Sequence, residues 1–196
     1  MTPHPTTDER PIREAVVNRI NTLLPSAHVI HELDVEGGAG RADVAAVTVD
    51  QLWLFEIKSG RDKLHRLSRQ VQLFHPACHG LVIVADEKWC GRAANYPNCD
   101  VRKVIQFHGA GTLWQWPVGG WPHNHWQLPT PTPPWPLRML RLLTAAELRG
   151  LGPGADIPSE AVIDHLARTL TGHAVTAMVC HVLRQRVPAT ATRRAA

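Results

Sequence analysis

The chain has 196 residues, a charged fraction of 19%, a formal net charge of +4 and a pI near 9.2. This length supports one sizeable domain, or a core with a small appendage, that needs no metal or disulfide to fold. No apolar run approaches the roughly 18 residues of a membrane helix. The first ten residues contain no apolar signal segment, so we expect a cytoplasmic protein with no membrane partner. The mild basicity favours a polyanionic partner.

The cysteines are far apart in the sequence, and none forms a Cys-x-x-Cys pair. In a cytosolic chain they are expected to be reduced thiols. Together with two nearby histidines, three of them could gather around zinc, but their spacing fits no established ligand pattern. We therefore expect free thiols rather than a zinc site. The residues concerned are Cys78, Cys90, Cys99 and Cys180, with His75 and His79.

The first elements are one helix and three strands. Apolar residues from Ile12 to Leu24 recur at helical spacing, which predicts an amphipathic helix over about residues 8–24. Three strand-like segments follow, separated by a glycine-rich turn and a tight connection. They cover residues 29–35, 41–49 and 52–58.

After Lys58 the apolar period becomes helical again and predicts a helix over residues 64–74, ending before Pro76. The short apolar run at 81–85 is typical of a strand that is buried on both faces. The pattern then predicts a short helix over 87–95 and a hairpin whose strands are 101–107 and 112–116.

The composition changes after residue 116, which we take as the end of a core of residues 1–116. Residues 117–136 are rich in proline and tryptophan and predict an extended linker, with tryptophans that pack on the core rather than stack on bases. A helical C-terminal region, 137–187, follows. It contains a Thr144–Glu147 capping box and helices over about 159–171 and 173–186. Residues 188–196 are predicted to be a disordered tail.

The strongest chemical signal is a convergence of carboxylates on adjacent strands. Glu56 and Lys58 are two residues apart in one strand and therefore share a face. Asp43 lies in the strand that hairpins onto it. Two converging carboxylates repel each other unless a cation lies between them. An all-oxygen ligand set suits Mg²⁺ or Mn²⁺.

These residues resemble the motif of the PD-(D/E)xK nuclease superfamily. Arg41-Ala-Asp43 stands thirteen residues before Glu56-Ile-Lys58, after a helix that bears glutamate and before one that bears glutamine. One departure is Ala42, where the motif has proline. The resemblance covers about residues 8–107. It implies an α/β fold with a restriction-endonuclease-like core, in the order helix–three strands–helix–strand with a mixed sheet, and a small helical C-terminal extension.

The resemblance also implies residue roles. Asp43 and Glu56 would hold the metal, with the backbone carbonyl of Ile57 as a third ligand. Lys58 would position or deprotonate the attacking water, or neutralise charge in the transition state. Gln70, on the helix after the motif strand, would face the site.

Other candidate residues are less determined. A further carboxylate ligand is assigned to Glu14 on the first helix, with Glu32 on the first strand as its competitor. Basic residues near the motif are candidates for holding phosphates, although those on the helix could equally form a solvated face. They are Arg41, Lys63, Arg66 and Arg69.

The expected function is a Mg²⁺- or Mn²⁺-dependent endonuclease that hydrolyses phosphodiester bonds. We expect DNA rather than RNA as its substrate, and structure-specific or nicking activity because no base-reading module is apparent. The alternative is a non-catalytic nucleic-acid-binding or adaptor protein on the same fold, whose binding would need no metal. An RNA-directed or toxin-like nuclease is a third possibility. Partners could include a second copy of the chain or a larger nuclease, repair or defence complex.

Overall fold

The computed structural model describes residues 9–90, 99–117, 126–152 and 157–187. The first helix is followed by three consecutive strands, and helices then precede each of the two remaining strands. They are α1 (Glu9–Leu23), β1 (His28–Val35), β2 (Gly40–Val47), β3 (Leu52–Lys58), α2 (Leu67–Phe74), β4 (Gly80–Asp86), α3 (Glu87–Cys90), α4 (Asp100–His108) and β5 (Thr112–Trp116). Four helices follow: α5 (Pro136–Leu140), α6 (Ala145–Leu151), α7 (Ser159–Thr169) and α8 (Gly172–Arg184).

The five strands form one mixed sheet in the order β1-β2-β3-β4-β5. The β1–β2 and β2–β3 pairs are antiparallel, whereas the β3–β4 and β4–β5 pairs are parallel. Parallel neighbours need a crossover connection, and α2 and α4 lie in the two connections concerned. The predicted α/β class with a mixed sheet is therefore confirmed.

Helices cover both faces of the sheet. On β3, Trp53, Phe55 and Ile57 pack in an apolar cluster with α1, which contributes Ile12 and Val16. The alternate residues, Leu52 and Leu54, pack in a second cluster with Leu67, Val71 and Phe74 of α2. Every residue of β3 is buried, as expected for a central strand that is covered on both faces. Because side chains alternate along a strand, Glu56 and Lys58 point to the α2 face.

Most predicted elements of residues 9–90 are present. The helix predicted over 8–24 is α1, and the three predicted strands are β1 to β3, with β2 ending at Val47. The predicted helix over 64–74 begins with a 3-10 turn at Leu64–Arg66 before α2. Of the helix predicted over 87–95, α3 covers Glu87–Cys90, and residues 91–95 lie outside the described residues.

The predicted hairpin at 101–107 and 112–116 is wrong in its first half, because residues 100–108 are the helix α4. Val101, Val104 and Ile105 suggested a strand by their β-branching, but their spacing of three and four also places them on one side of a helix. Cys99 caps the N-terminus and Gly109, at φ 60°, ends the helix in the left-handed conformation. The parallel pairing of β5 with β4 accounts for the helix.

The C-terminal helices pack on the same face of the sheet as α2. Met139, Leu148, Val162 and Val179 belong to the same apolar cluster as Leu54 and Phe74. The predicted capping box is confirmed, with reciprocal hydrogen bonds between Thr144 and Glu147. The predicted helices at 159–171 and 173–186 are α7 and α8. The predicted disordered tail, 188–196, lies outside the described residues.

Of the predicted linker, residues 126–135 have no helix or strand but are attached to the core, and Pro136 is already the first residue of α5. Trp126 is buried and stacks on Trp114 with ring centroids 4.9 Å apart. Further along, the backbone N–H of Thr132 donates to the carbonyl oxygen of His79 at 2.9 Å. The predicted packing is therefore confirmed for Trp126 but wrong for Trp135, which is 63% exposed, and Trp121 lies outside the described residues. Within the described residues, no helix has both the length and the apolar character needed to cross a membrane.

Candidate functional site

Asp43 and Glu56 lie opposite each other on β2 and β3. The antiparallel register pairs Val44 with Phe55, so the next residues along the two strands are Asp43 and Glu56. Residues directly opposite in an antiparallel pair point to the same face. The predicted convergence of the two carboxylates is therefore built by the register of one hairpin.

Glu56 is almost completely buried, with 2% of the residue exposed. Its Oε1 atom accepts hydrogen bonds from Lys58 Nζ at 2.6 Å and from Gln70 Nε2 at 2.5 Å. Its other oxygen, Oε2, and the Oε1 atom of Gln70 are buried and have no hydrogen-bond partner among the described residues. Glu56 and Gln70, which are hydrogen-bonded to each other, thus each present a buried oxygen acceptor without a donor among the described residues. Such an acceptor costs free energy unless a donor or a cation satisfies it.

The environment disfavours the ionised forms of both acids. Burial raises the pKa of Asp43 well above its ordinary value, and the neighbouring Glu56 charge raises it further. Burial also raises the pKa of Glu56, against the opposing effects of Lys58 and Gln70. A cation between the two carboxylates would reverse both shifts because it favours the charged forms.

A second group of carboxylates adjoins Asp43 and surrounds an arginine. Oxygens of Glu9, Glu32 and Asp43 lie within 4.8 Å of one another. Arg13 Nη2 is 2.5 Å from Glu9 Oε1, 2.8 Å from Glu32 Oε1 and 3.5 Å from Asp43 Oδ1. Arg13 reaches this position because it lies on the buried side of α1, beside Ile12 and Val16.

A cleft of about 360 Å³ opens on these groups. Asp62 closes the turn after β3, where its Oδ2 accepts hydrogen bonds from the backbone N–H and the hydroxyl of Ser59, each at 2.7 Å. Arginines on β2 and around the start of α2 give the cleft a basic rim beside its acidic centre. The lining is Glu9, Glu32, Ala39, Gly40, Arg41, Asp43, Glu56, Ile57, Lys58, Asp62, Arg66, Arg69, Gln70 and Leu73.

Most of the residues singled out in the sequence meet in this cleft. Its lining includes the four predicted catalytic residues, Asp43, Glu56, Lys58 and Gln70, together with Ile57. Three of the four predicted phosphate-binding residues also line it: Arg41, Arg66 and Arg69. The predicted catalytic residues and three of the predicted phosphate-binding arginines therefore lie together in one cleft.

Two predicted site residues lie elsewhere. Glu14 is exposed and does not line the cleft, because α1 turns Ile12, Arg13 and Val16 towards the sheet. The acidic residue of α1 that lines the cleft is Glu9, one turn before Arg13, and Glu32, the competing candidate, lines it too. Lys63 is exposed and outside the lining, since it precedes the 3-10 turn in an extended conformation.

The sequence reasoning missed Glu9, Arg13 and Asp62. The i,i+4 spacing of Glu9 and Arg13 is a recognisable signal, but it is also that of an ordinary surface ion pair. Asp62 follows Ser59 by three residues, a spacing typical of side-chain-capped turns.

The structure also contains a larger cleft, of about 540 Å³, between the β1–β2 turn and the C-terminal helices. Glu36, Arg141, Glu160 and Arg186 contribute to its lining. Most of these charges are paired, for example Glu36 Oε2 with Arg141 at 3.4 Å and Glu147 with Arg186 at 2.7 Å. None of the predicted site residues lines it. The smaller cleft is therefore the candidate site.

The fold and this cleft define a mixed α/β protein with a buried carboxylate–lysine centre. Comparison with known families matches residues 3–108 to a family described as Bacteriophage P4 protein cII. This is more than half of the chain, and the chain belongs to that family. The match extends through α4 and so includes all the residues of the cleft. No curated protein and no solved structure matched the chain.

Proposed function

We propose that the protein is a divalent-metal-dependent endonuclease that hydrolyses phosphodiester bonds, with DNA as its expected substrate. One observation carries the proposal. Beside the Asp43 carboxylate, Glu56 Oε2 and Gln70 Oε1 are buried acceptors with no donor among the described residues. On the same strand face, Lys58 is buried next to them, with 4% of its side chain exposed.

The residues present fit a divalent cation. Their donor atoms are all oxygens, which is the preference of Mg²⁺ and Mn²⁺. Asp43, Glu56 and the backbone carbonyl of Ile57 would hold the ion, and Gln70 Oε1 is the buried acceptor beside them. The bound ion would supply Lewis-acid stabilisation of the negative charge that develops on the phosphate oxygens.

The fold supports the same proposal. The order helix, three strands, helix and parallel strand, with the two acids on the second and third strands, is the order expected of a PD-(D/E)xK core. We therefore extend the α/β assignment to a restriction-endonuclease-like core with a helical C-terminal extension.

The chain's own residues have separate tasks in this proposal. Lys58, which pairs with Glu56 Oε1 at 2.6 Å, is placed to orient the attacking water and to stabilise the charge of the transition state. Gln70 holds the Glu56 carboxylate in one orientation through its own hydrogen bond. Arg41, Arg66 and Arg69 on the cleft wall would bind the flanking phosphates.

The test is cleavage of supercoiled plasmid and of end-labelled single strands in Mg²⁺, in Mn²⁺ and in EDTA, for the wild type and for Glu56→Gln. The proposal predicts nicking or cutting by the wild type with either metal, and neither in EDTA nor in the variant. Wild type that cuts no DNA but binds it equally with and without metal would instead support the adaptor alternative, whose phosphate contacts need no ion. Cleavage of RNA alone would move the proposal to an RNA substrate.

A further inference from the structure

The acidic group beside the Asp43–Glu56 pair has an unusual occupant. Three carboxylate oxygens within 4.8 Å of one another, from Glu9, Glu32 and Asp43, are a donor set that a divalent cation could use. Arg13 Nη2 lies at 2.5, 2.8 and 3.5 Å from oxygens of the same three carboxylates, Glu9 Oε1, Glu32 Oε1 and Asp43 Oδ1. A single guanidinium nitrogen thus takes the position that the three carboxylates share.

Arg13 is fixed in this position by its other nitrogens. Nη1 donates a hydrogen bond to the backbone carbonyl oxygen of Asp43, and Nε donates to Glu9 Oε1 at 3.2 Å. Only 11% of the Arg13 side chain is exposed. A guanidinium is planar and stays charged at all physiological pH values, so its donors match several acceptors at once. Displacing it would separate a buried cation from the three carboxylates that surround it.

Both carboxylate oxygens of Glu32 are paired with arginines. Its Oε1 pairs with Arg13 at 2.8 Å, and its Oε2 pairs with Arg41 Nε at 3.2 Å. Its backbone adopts φ 59°, a left-handed conformation that L residues seldom take within a strand. Such an outlier persists where the surrounding contacts require it. The contrast is with Glu56, whose Oε2 has no partner among the described residues.

Many phosphodiester-cleaving sites use two cations roughly 3.5–4 Å apart. We propose that Arg13 takes the place of a second metal ion, so that Glu9 and Glu32 bind its guanidinium and the site accepts one divalent cation, at Asp43 and Glu56. The presence of that one cation rests on the proposed function, whereas the exclusion of a second by Arg13 does not. Arg13 is accordingly the residue that determines the number of ions bound.

The test counts bound Mn²⁺ by calorimetry and by electron paramagnetic resonance, without any substrate. The variant Arg13→Met keeps the length of the side chain and removes its charge and donors. It should bind one Mn²⁺ more than the wild type. Arg13→Lys, which retains the charge, should bind the same number as the wild type. The double variant Arg13→Met/Glu32→Gln should lose the additional ion because one of its ligands is gone.

Two results would overturn the inference: two ions bound by the wild type, or equal counts for the wild type and a folded Arg13→Met. A wild type that binds no Mn²⁺ would count against the proposed function, while a gain of one ion in Arg13→Met would still uphold the role of Arg13. If Arg13→Met fails to fold, the Mn²⁺ affinity of Glu32→Gln tests the inference instead. It should bind Mn²⁺ within about twofold of the wild-type affinity, since Glu32 is not a ligand, and a loss of binding would overturn the inference.

Discussion

The backbone N–H of Ile57 donates a hydrogen bond to Oδ2 of Asp43 at 2.6 Å. This bond joins the carboxylate on β2 to the residue between Glu56 and Lys58 on β3. The position of Asp43 is therefore set by main-chain geometry, and its second oxygen, Oδ1, faces the arginine-bearing side of the cleft at 3.5 Å from Arg13. One side chain thus links the Glu56–Lys58 pair to the carboxylates around Arg13.

Replacing Asp43 with asparagine should stabilise the metal-free protein. Burial and the Glu56 charge raise the pKa of Asp43, so at neutral pH the ionised group destabilises the fold. Asparagine removes that charge and keeps an acceptor for the Ile57 N–H. We expect Tm to rise by about 2–4 °C at pH 7.5, the shift that ~1 kcal/mol produces in a chain of this size.

The pH dependence provides the control for that measurement. A raised carboxyl pKa means that the folded state binds a proton more readily than the unfolded state, so the penalty disappears as pH falls through the raised pKa towards the ordinary value of 3.8. The advantage of Asp43→Asn over the wild type should shrink over that range. An advantage that stayed constant with pH, or a loss of stability at pH 7.5, would contradict the assigned electrostatics.

Mg²⁺ or Mn²⁺ should stabilise the wild type against heat. An ion that binds only the folded state adds about 2.7 kcal/mol at one hundred times its Kd. The same ions should shift the Tm of Asp43→Asn and Glu56→Gln much less, since each variant lacks one charged ligand. Differential scanning calorimetry with and without EDTA measures the effect. Equal shifts in all three proteins would place the ion elsewhere.

Gln70→Ala should reduce cleavage by about 10–100-fold, the usual cost of losing a residue that orients a metal ligand. Gln70 donates to Glu56 Oε1 at 2.5 Å, so its loss frees the carboxylate to rotate. The matched control is Gln72→Ala, on the same helix but exposed to solvent. Single-turnover rates should separate the two variants, and equal rates would remove Gln70 from the site.

The double variant Arg66→Ala/Arg69→Ala should bind DNA more weakly and with less dependence on salt. Both side chains line the cleft and are exposed. Each lost phosphate contact lowers the slope of log K against log salt by about 0.9 for duplex DNA. Lys63→Ala is the control because Lys63 is close in sequence but does not line the cleft. If Lys63→Ala weakened binding as much as the double variant, the bound DNA would follow another surface.

Much of the fold could be predicted because its signals are local. The continuous apolar run of β4 and the helical stripe of α2 each lie within a dozen residues of sequence. The prediction failed at α4, where Val101, Val104 and Ile105 favour a strand by propensity. What selects the helix there is the parallel pairing of β4 and β5, which no local pattern reveals.

The candidate site likewise has one part that local sequence predicts and another part that depends on tertiary packing. Asp43, Glu56 and Lys58 could be placed together because a short connection joins their two strands and fixes the register. Arg13 could not, because its role depends on how α1 packs against β1 and β2, far from it in sequence. The sequence favoured Glu14 over Glu32 and did not point to Glu9 for the same reason, since the buried face of α1 is decided by that packing.

In the proposed function, Lys58 and the carboxylates beside it cleave phosphodiester bonds rather than merely bind nucleic acid. The most direct test compares Lys58→Met with Lys63→Met, measuring DNA binding and single-turnover cleavage in Mg²⁺ on the same preparations. We predict that Lys58→Met binds DNA within a few-fold of the wild type and loses cleavage by more than about 100-fold, while Lys63→Met retains both. A folded Lys58→Met protein that cleaves at the wild-type rate would contradict the claim.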